Sequence, residues 1–518
     1  MSIFIEREGT FLENTIQNRK IRHRVTAVLL VLVLFNSFLF FLNIDLGFFI
    51  MTPIRLFLIA CTAYLGVSHI RLLITYWKMP KEKRPPLKVF FTLPVYFLIL
   101  IFLWAGYAGI WLVFSHLNEF GKAEFIGIGT LFLFSYCFLS LVQDSEDVRF
   151  VCKGIVISCV VLAFCAILET MFGTVIPGDE SYIFALREKI NVERTLFPPT
   201  AGFGNTNDLI AVLSIGFVIL QYQLIKAATW KESRRALILL LILLLPTILI
   251  NSTIFNAVFC ILSLFTLLVI FFYRKKDVHR GMPADLYLKK IIVYLIVLAA
   301  YYFLIRHAVR FVTFEVNKMF YEWRITNYMQ SDPRFHGELS RLNNNNLNQL
   351  SDNLESQLSA FRGGYGTIHI RLWLIAFGMQ IVAAHPFFGA GPGNYRTLIR
   401  QSPHVLKNTR NDLDPHNFYI ELASEFGLIF FFAFAILFAL MLSRTWRAVK
   451  KAFRAGVSSP AILSMLMLLD AAMICVLSSS IIRFTSLWLL LLIPVAILNI
   501  LMKQGEIPSR RLHKSSAK

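Results

Sequence analysis

Charge is scarce in this chain. Charged residues make up 16% of 518, where a soluble globular domain carries about 25%. Acidic residues are scarcer still, 31 against 51 Lys and Arg, for a formal net charge of +20. There are seven cysteines, all in apolar segments and none in a CxxC pair: Cys61, Cys137, Cys152, Cys159, Cys165, Cys260 and Cys475. That pattern excludes a zinc ribbon or a disulfide-stapled exported domain and reads as small core residues. No dinucleotide fingerprint is complete, because Gly389-x-Gly391-x-Gly393 lacks the last spacing and no parallel-sheet unit surrounds it. No small-residue cleavage site follows the first apolar run, so the polar N-terminus reads as an uncleaved tail. Nor is any basic stripe interleaved with stacking aromatics, which excludes nucleic acid despite the positive charge.

What is abundant is apolar: 57% of residues, with 49 Phe and a mean hydropathy of +0.63. These residues lie in long runs, and a hydrocarbon core of about 30 Å needs roughly 20 of them per helix. Spans are predicted near 25–43, 54–77, 89–116, 123–142, 150–172, 207–225, 236–250, 254–273, 291–306, 417–443, 460–479 and 484–502. The basic residues test the count. Arg19–Arg24, Lys78–Lys88, Lys226–Arg235, Arg274–Lys290, Arg444–Arg454 and Lys503–Lys518 fall in every second connection, as expected of cytoplasmic loops. The expectation is an all-α polytopic membrane helical bundle of about 12 transmembrane helices in an inner (cytoplasmic) membrane. Both termini are expected in the cytoplasm, with tails at 1–24 and 503–518 and spans over 25–306 and 417–502.

Two opposite-side loops are long. One runs from about 173 to 206. The other, 307–416, is expected to form a large periplasmic helical loop acting as a lid. Leu347, Leu350, Leu354, Leu358 and Phe361 share one helical face, and a second helix is predicted over Ile368–Ala384, lying along the interface or packing on the bundle.

The polar chemistry gathers on that side in three clusters. They are Arg194 with Gly202–Asn207 (holding Asn205 and Asn207), Arg371-Leu372-Trp373 leading to His385–Tyr395, and Asp414–Tyr419 followed by Glu425-Phe426-Gly427. Singly, each has an ordinary explanation: glycines turn the chain, Arg371 neutralises headgroups, His416 caps or snorkels, and Asp412-Leu413-Asp414 is a loop. Together they fit an anionic lipid-linked substrate. Arginine offers a fork of donors for phosphate, histidine exchanges a proton near neutral pH, and glycine-rich turns bring backbone amides close to an anion.

Arg371-Leu372-Trp373, the His-Pro-Phe-Phe-Gly-Ala-Gly-Pro-Gly-Asn-Tyr run at 385–395, His416-Asn417 and Glu425-Phe426-Gly427 resemble, in that order, the motifs of the O-antigen ligase and O-antigen polymerase superfamily of bacterial inner-membrane glycosyltransferases. Gly202–Asn207 is similar to that family's upstream Gly-Thr-Phe-Gly-Asn-Pro-Asn stretch. The resemblance implies a GT-C-like bundle and metal-independent transfer of a glycan from an undecaprenyl-diphosphate carrier to a lipid or glycan acceptor at the periplasmic face, with no cofactor. It implies His416 as base and Arg371 against the leaving diphosphate. Arg194, Asn205, Asn207, Gly391, Gly393, Asn394, Asn417 and Glu425 are the expected substrate contacts. One family feature is missing: Asn251-Ser252-Thr253-Ile254 stands where a Ser-Arg-Gly stretch is usual, leaving Arg306, Arg310 or Arg194 to substitute. Two other classes stay open: a transporter or flippase for a lipid-linked sugar, and a catalytically silent assembly partner in polysaccharide export.

Overall fold

The computed structural model describes residues 19–36, 39, 42–45, 50–80, 92–114, 119–172, 201, 206–250, 253–277, 284–311, 365–402, 415–455, 459–476 and 484–505. In chain order the α-helices are α1 (Arg19–Leu34), α2 (Pro53–Lys78), α3 (Leu93–Phe114), α4 (Glu119–Leu141), α5 (Ser145–Phe172), α6 (Thr206–Lys226) and α7 (Trp230–Ile250). They continue with α8 (Thr253–Asp277), α9 (Ala284–Phe311), α10 (Tyr365–Ala384), α11 (Asn394–Arg400), α12 (Phe418–Ala455), α13 (Pro460–Ile474) and α14 (Leu489–Lys503). A two-residue β-hairpin, Ile44–Asp45 with Ile50–Met51, is a small departure from the all-α expectation.

Among the described residues, nine helices are long and apolar enough to cross a membrane, so the protein is a helical, multi-pass membrane protein by composition and fold. The expected count was twelve. Helices do stand at the other three places, but α1 has only 16 residues and α13 only 15, and α7 begins with Lys231, Glu232, Arg234 and Arg235.

Burial sorts the spans. The apolar windows of α6 and α14 are 83% and 89% buried, against 17% for α2, so α6 and α14 run through the centre. Outer helices turn Phe102, Leu103, Phe303, Phe432 and Ile436 outward, as lipid-facing surfaces do. Inside, buried hydroxyls and amides pair across helices: Gln221 of α6 donates to Tyr294 Oη of α9 at 2.9 Å, which donates to Ser263 Oγ of α8 at 2.9 Å. At one end Arg19 and Arg22 of α1 form ion pairs with Asp144, Glu146 and Asp147 at the start of α5, and His23 Nε2 lies 3.1 Å from Asp147 Oδ1.

α12 is broken. Gly427 takes φ 81° and ψ 172°, dividing it into a buried first part, Phe418–Phe426, and the long second part beyond. A break exposes carbonyls on one side and amides on the other, and the segment 386–391 satisfies both. Ala390 and Gly391 donate to Ser424 O and Glu425 O at 2.8 and 3.0 Å. Leu428 and Ile429 donate back to Pro386 O and Phe387 O at 2.8 and 3.4 Å. Non-helical backbone in a membrane protein persists where protein buries it in this way.

Candidate active site

The two glycine-bearing motifs are mutually dependent. A Cβ on Gly427 would overlap the Phe387 carbonyl, and one on Gly389 would overlap the Glu425 carbonyl and the Gly427 amide. Both glycines hold positive φ, where a side chain is strained in any case. Glu425 completes the lock. Its carboxylate, 3% exposed, accepts from Gly393 N–H at 2.9 Å and Tyr395 N–H at 3.3 Å. Asn394 Nδ2 donates to Ala390 O at 2.7 Å. Gly391 rests on the Trp111 ring, and Gly393 on the Phe120–Gly121 backbone. Tyr107 Oη donates to Phe388 O, and the Arg396 and Arg400 guanidinium groups lie 4.2 and 4.6 Å from the Phe120 ring centroid. The amides of Ala390, Gly391, Gly393 and Tyr395 therefore bond within the chain. In this conformation the turn is a clasp between α3, α4, α10 and α12, with those amides already committed to acceptors of the chain itself.

Asn417 has a local role too: its Oδ1 accepts from Tyr419 N–H at 3.0 Å and Ile420 N–H at 3.3 Å, an N-cap for α12. The neighbouring C-terminus of α13 has orphan carbonyls of its own. They are met by three donors from outside that helix: Phe418 N–H to Cys475 O at 2.9 Å, Tyr419 Oη to Ala472 O at 2.9 Å, and Arg371 Nη1 to Val476 O at 3.0 Å. Arg371 reaches this point because α10 lies tightly on α12, with Gly378 against Ile420.

His416 sits between these two capping arrangements. It is one of two non-glycine residues with positive φ among those described, at 49°. A non-glycine side chain seldom holds this conformation, and such strain concentrates at functional sites. Its Nδ1 is buried and has no hydrogen-bond partner among the described residues. Burial, with a smaller push from the Arg371 charge, takes the imidazole down to a pKa of about 4. The ring is therefore neutral at pH 7. No protein-family model and no curated protein matches this chain.

The structure thus brings His416, Arg371, Asn417, Glu425 and the Gly391–Asn394 turn to one end of the bundle. Asn207 belongs to the first turn of α6. α6 packs antiparallel on α13, and Asn207 stands about 10 Å along α6 from Ser214 and Val476 about 9 Å along α13 from Asp470. Ser214 and Asp470 are electrostatic neighbours, which sets Asn207 level with the end of α13. Arg194, Asn205, Asp412, Asp414, the Leu347–Phe361 stripe and Asn251-Ser252 lie outside the described residues, as do the side chains of Arg306 and Arg310.

Sequence reasoning missed the partners of these motifs. Tyr107, Trp111 and Phe120 are three of many aromatics near span ends, and no local signal marks them out. The acceptors of Arg371 and Tyr419 are backbone carbonyls, which carry no residue signature at all.

Proposed function

We propose that this protein is an O-antigen ligase-like glycosyltransferase of the bacterial inner membrane, moving a glycan from an undecaprenyl-diphosphate carrier to a hydroxyl on a lipid or glycan acceptor. The single observation that carries the reading is a neutral His416 imidazole, its buried Nδ1 without a partner among the described residues, within reach of the Arg371 charge at one end of a membrane bundle. In this reading twelve spans cross the membrane, both termini are cytoplasmic, and the paired residues face the periplasm.

The chemistry follows from the two side chains. Arg371 holds the diphosphate and stabilises the charge that gathers on it as the glycosidic bond breaks. His416 takes the proton of the attacking hydroxyl. A pKa near 4 makes it a weak base in the free protein. An anionic diphosphate beside Arg371 cancels the repulsion that helps depress His416 and raises its basicity when substrate is present. Glu425, Gly391, Gly393, Asn394 and Asn417 then act by holding the frame. Arg194, Asn205 and Asn207 remain the candidate contacts from the upstream segment.

The test is glycan profiling of a chromosomal deletion carrying His416→Ala or Arg371→Ala at normal membrane levels, with transfer of a labelled carrier-linked glycan by the purified protein. Loss of long glycan and of transfer in both variants supports the reading. Accumulated full-length carrier-linked polymer points to ligation, and accumulated single repeat units to polymerisation. Full activity in both variants removes it.

One observation favours the transport reading. Asp470 of α13 is wholly buried, with the Ser214 hydroxyl of α6 as a polar neighbour and no ion pair among the described residues. An ionisable group inside a membrane bundle is expensive and is commonly functional.

A further inference from the structure

A concave site lies at the end of the bundle opposite His416 and Arg371. α13 runs from Pro460 at this end to the Val476 region beside Arg371, a helical rise of roughly 24 Å. The cavity measures about 390 Å³ and lies between the start of α5, the end of α6, the start of α13 and the end of α14. That volume falls within the about 300–1,000 Å³ typical of small-molecule sites.

Its lining has two halves. Arg149 and Lys153, one turn apart on α5, and Lys226, the last residue of α6, supply three cations. Val148, Ile219, Leu463, Ile497 and Leu501 make an apolar floor, and Tyr222, Gln223 and Gln504 add polar groups. The acidic residues nearest in sequence are already engaged: Asp144, Glu146 and Asp147 pair with Arg19, Arg22 and His23 of α1. Glu232, whose charge reaches Lys226, accepts the Ala228 N–H at 2.9 Å. Among the described residues no carboxylate lies within ion-pair distance of Arg149, Lys153 or Lys226. Three converging cations with no ion-pair partner among the described residues, above an apolar floor, suit an anion carrying a hydrocarbon part.

We infer that this basin binds a phosphate-bearing anion through Arg149, Lys153 and Lys226, with an anionic phospholipid as the ligand its apolar floor favours. The phosphate oxygens accept from the three cations, and the first carbons of the acyl chains lie along α6 and α14. The basic segments 226–235, which leads into α7, and 444–454, the last turns of α12, border the same end, so the site lies where the sequence concentrates positive charge. This inference is independent of the glycosyl-transfer reading.

The test uses the full-length chain, purified and delipidated in a zwitterionic detergent, titrated with phosphatidylglycerol, phosphatidylcholine or inorganic phosphate, with binding followed by native mass spectrometry and thermal shift. Saturable phosphatidylglycerol binding, at least about tenfold weaker in the Arg149→Gln, Lys153→Gln, Lys226→Gln triple variant and absent for phosphatidylcholine, supports the site and a lipid source. Equal binding of inorganic phosphate with the same loss in the variant supports the site with a free anion as its ligand. Equal phosphatidylglycerol binding by wild type and triple variant overturns the inference. Should the triple variant not purify, single Lys153→Gln and Lys226→Gln variants are expected to bind about threefold more weakly each, and no change in either overturns the inference equally. The Arg149→Lys variant, which keeps the charge, is expected to retain binding.

Discussion

Replacing Glu425 by Gln tests whether the glycine-rich turn is a clasp. The substitution keeps the shape and removes one acceptor oxygen, placing an NH₂ where the carboxylate receives either Gly393 N–H or Tyr395 N–H. A hydrogen bond to a charged group is worth about 1.5–3 kcal/mol net, and leaving a buried donor unsatisfied costs about 1–3 kcal/mol. Because these contributions overlap, the expected loss is roughly 2–4 kcal/mol, felt locally as easier opening of 386–395. The lower figure corresponds to about a thirtyfold rise in the opening equilibrium. Hydrogen-exchange mass spectrometry on the detergent-purified protein reads this directly. Peptides covering 386–395 and 424–429 should lose protection together, since they share the hydrogen bonds across the Gly427 break. Peptides from the core of α14 should not change. Unaltered exchange at 386–395 in Glu425→Gln would refute the clasp, as would loss confined to one of the two partner segments.

Other outcomes follow from the same geometry. Gly427→Ala, which drives a Cβ into the Phe387 carbonyl, should lower the yield of folded protein far more than Gly66→Ala, whose Cβ meets nothing, and size-exclusion profiles in detergent decide it. Asn417→Ala removes the cap of α12 and should cost about 1 kcal/mol, read as a lowered thermal midpoint, while Asn417→Asp should preserve it. His416 has its folded pKa depressed from 6.5 to about 4, so protonation opposes folding: the stability tied to the neutral ring is complete above about pH 6.5, declines as pH falls, and levels off near pH 4. His416→Gln should flatten that part of the stability profile, and an unchanged profile counts against the burial described. If the protein transfers glycans, the acid limb of kcat should lie at higher pH than that of kcat/KM, because bound diphosphate offsets Arg371; coincident limbs would contradict this. Asp470→Asn separates the two readings of function. A transferase should keep its activity, whereas a proton-coupled transporter should lose it.

Much of the fold was legible because the bilayer imposes one length and one rule on charge. Runs such as 54–77 and 207–225 became α2 and α6 nearly to the residue. The helix expected over 368–384 corresponds to α10, at Tyr365–Ala384. Hydropathy could not show the break inside 417–443. The residues on both sides of Gly427 are apolar and helix-compatible, and only its φ of 81° and the partner segment 386–391 reveal two helices in place of one. The short helices α1 and α13 expose a related limit, since a run of apolar residues does not say how much of it is wound into a helix.

At the site, residue type was a good guide to which residues gather and a poor guide to what each one does. Glycine, asparagine and glutamate in 391–394, at 417 and at 425 suggest ligand contacts because they carry free donors and acceptors in an unfolded chain. In the folded chain those groups are the cheapest means of closing a broken helix: Glu425 takes amides from the turn, Asn417 takes amides from α12, and Asn394 ties the turn to itself. Arg371 is engaged too, but among the described residues by a single bond to Val476 O, which commits little of its donor fork. His416 contributes nothing comparable to the frame: its backbone is strained and its buried Nδ1 has no partner among the described residues. A residue retained at a cost in conformation and desolvation, with no structural return on its ring nitrogen, is the one whose function must come from a molecule outside the chain. On that physical ground His416, more than any glycine of the turn, is where a substrate should be sought.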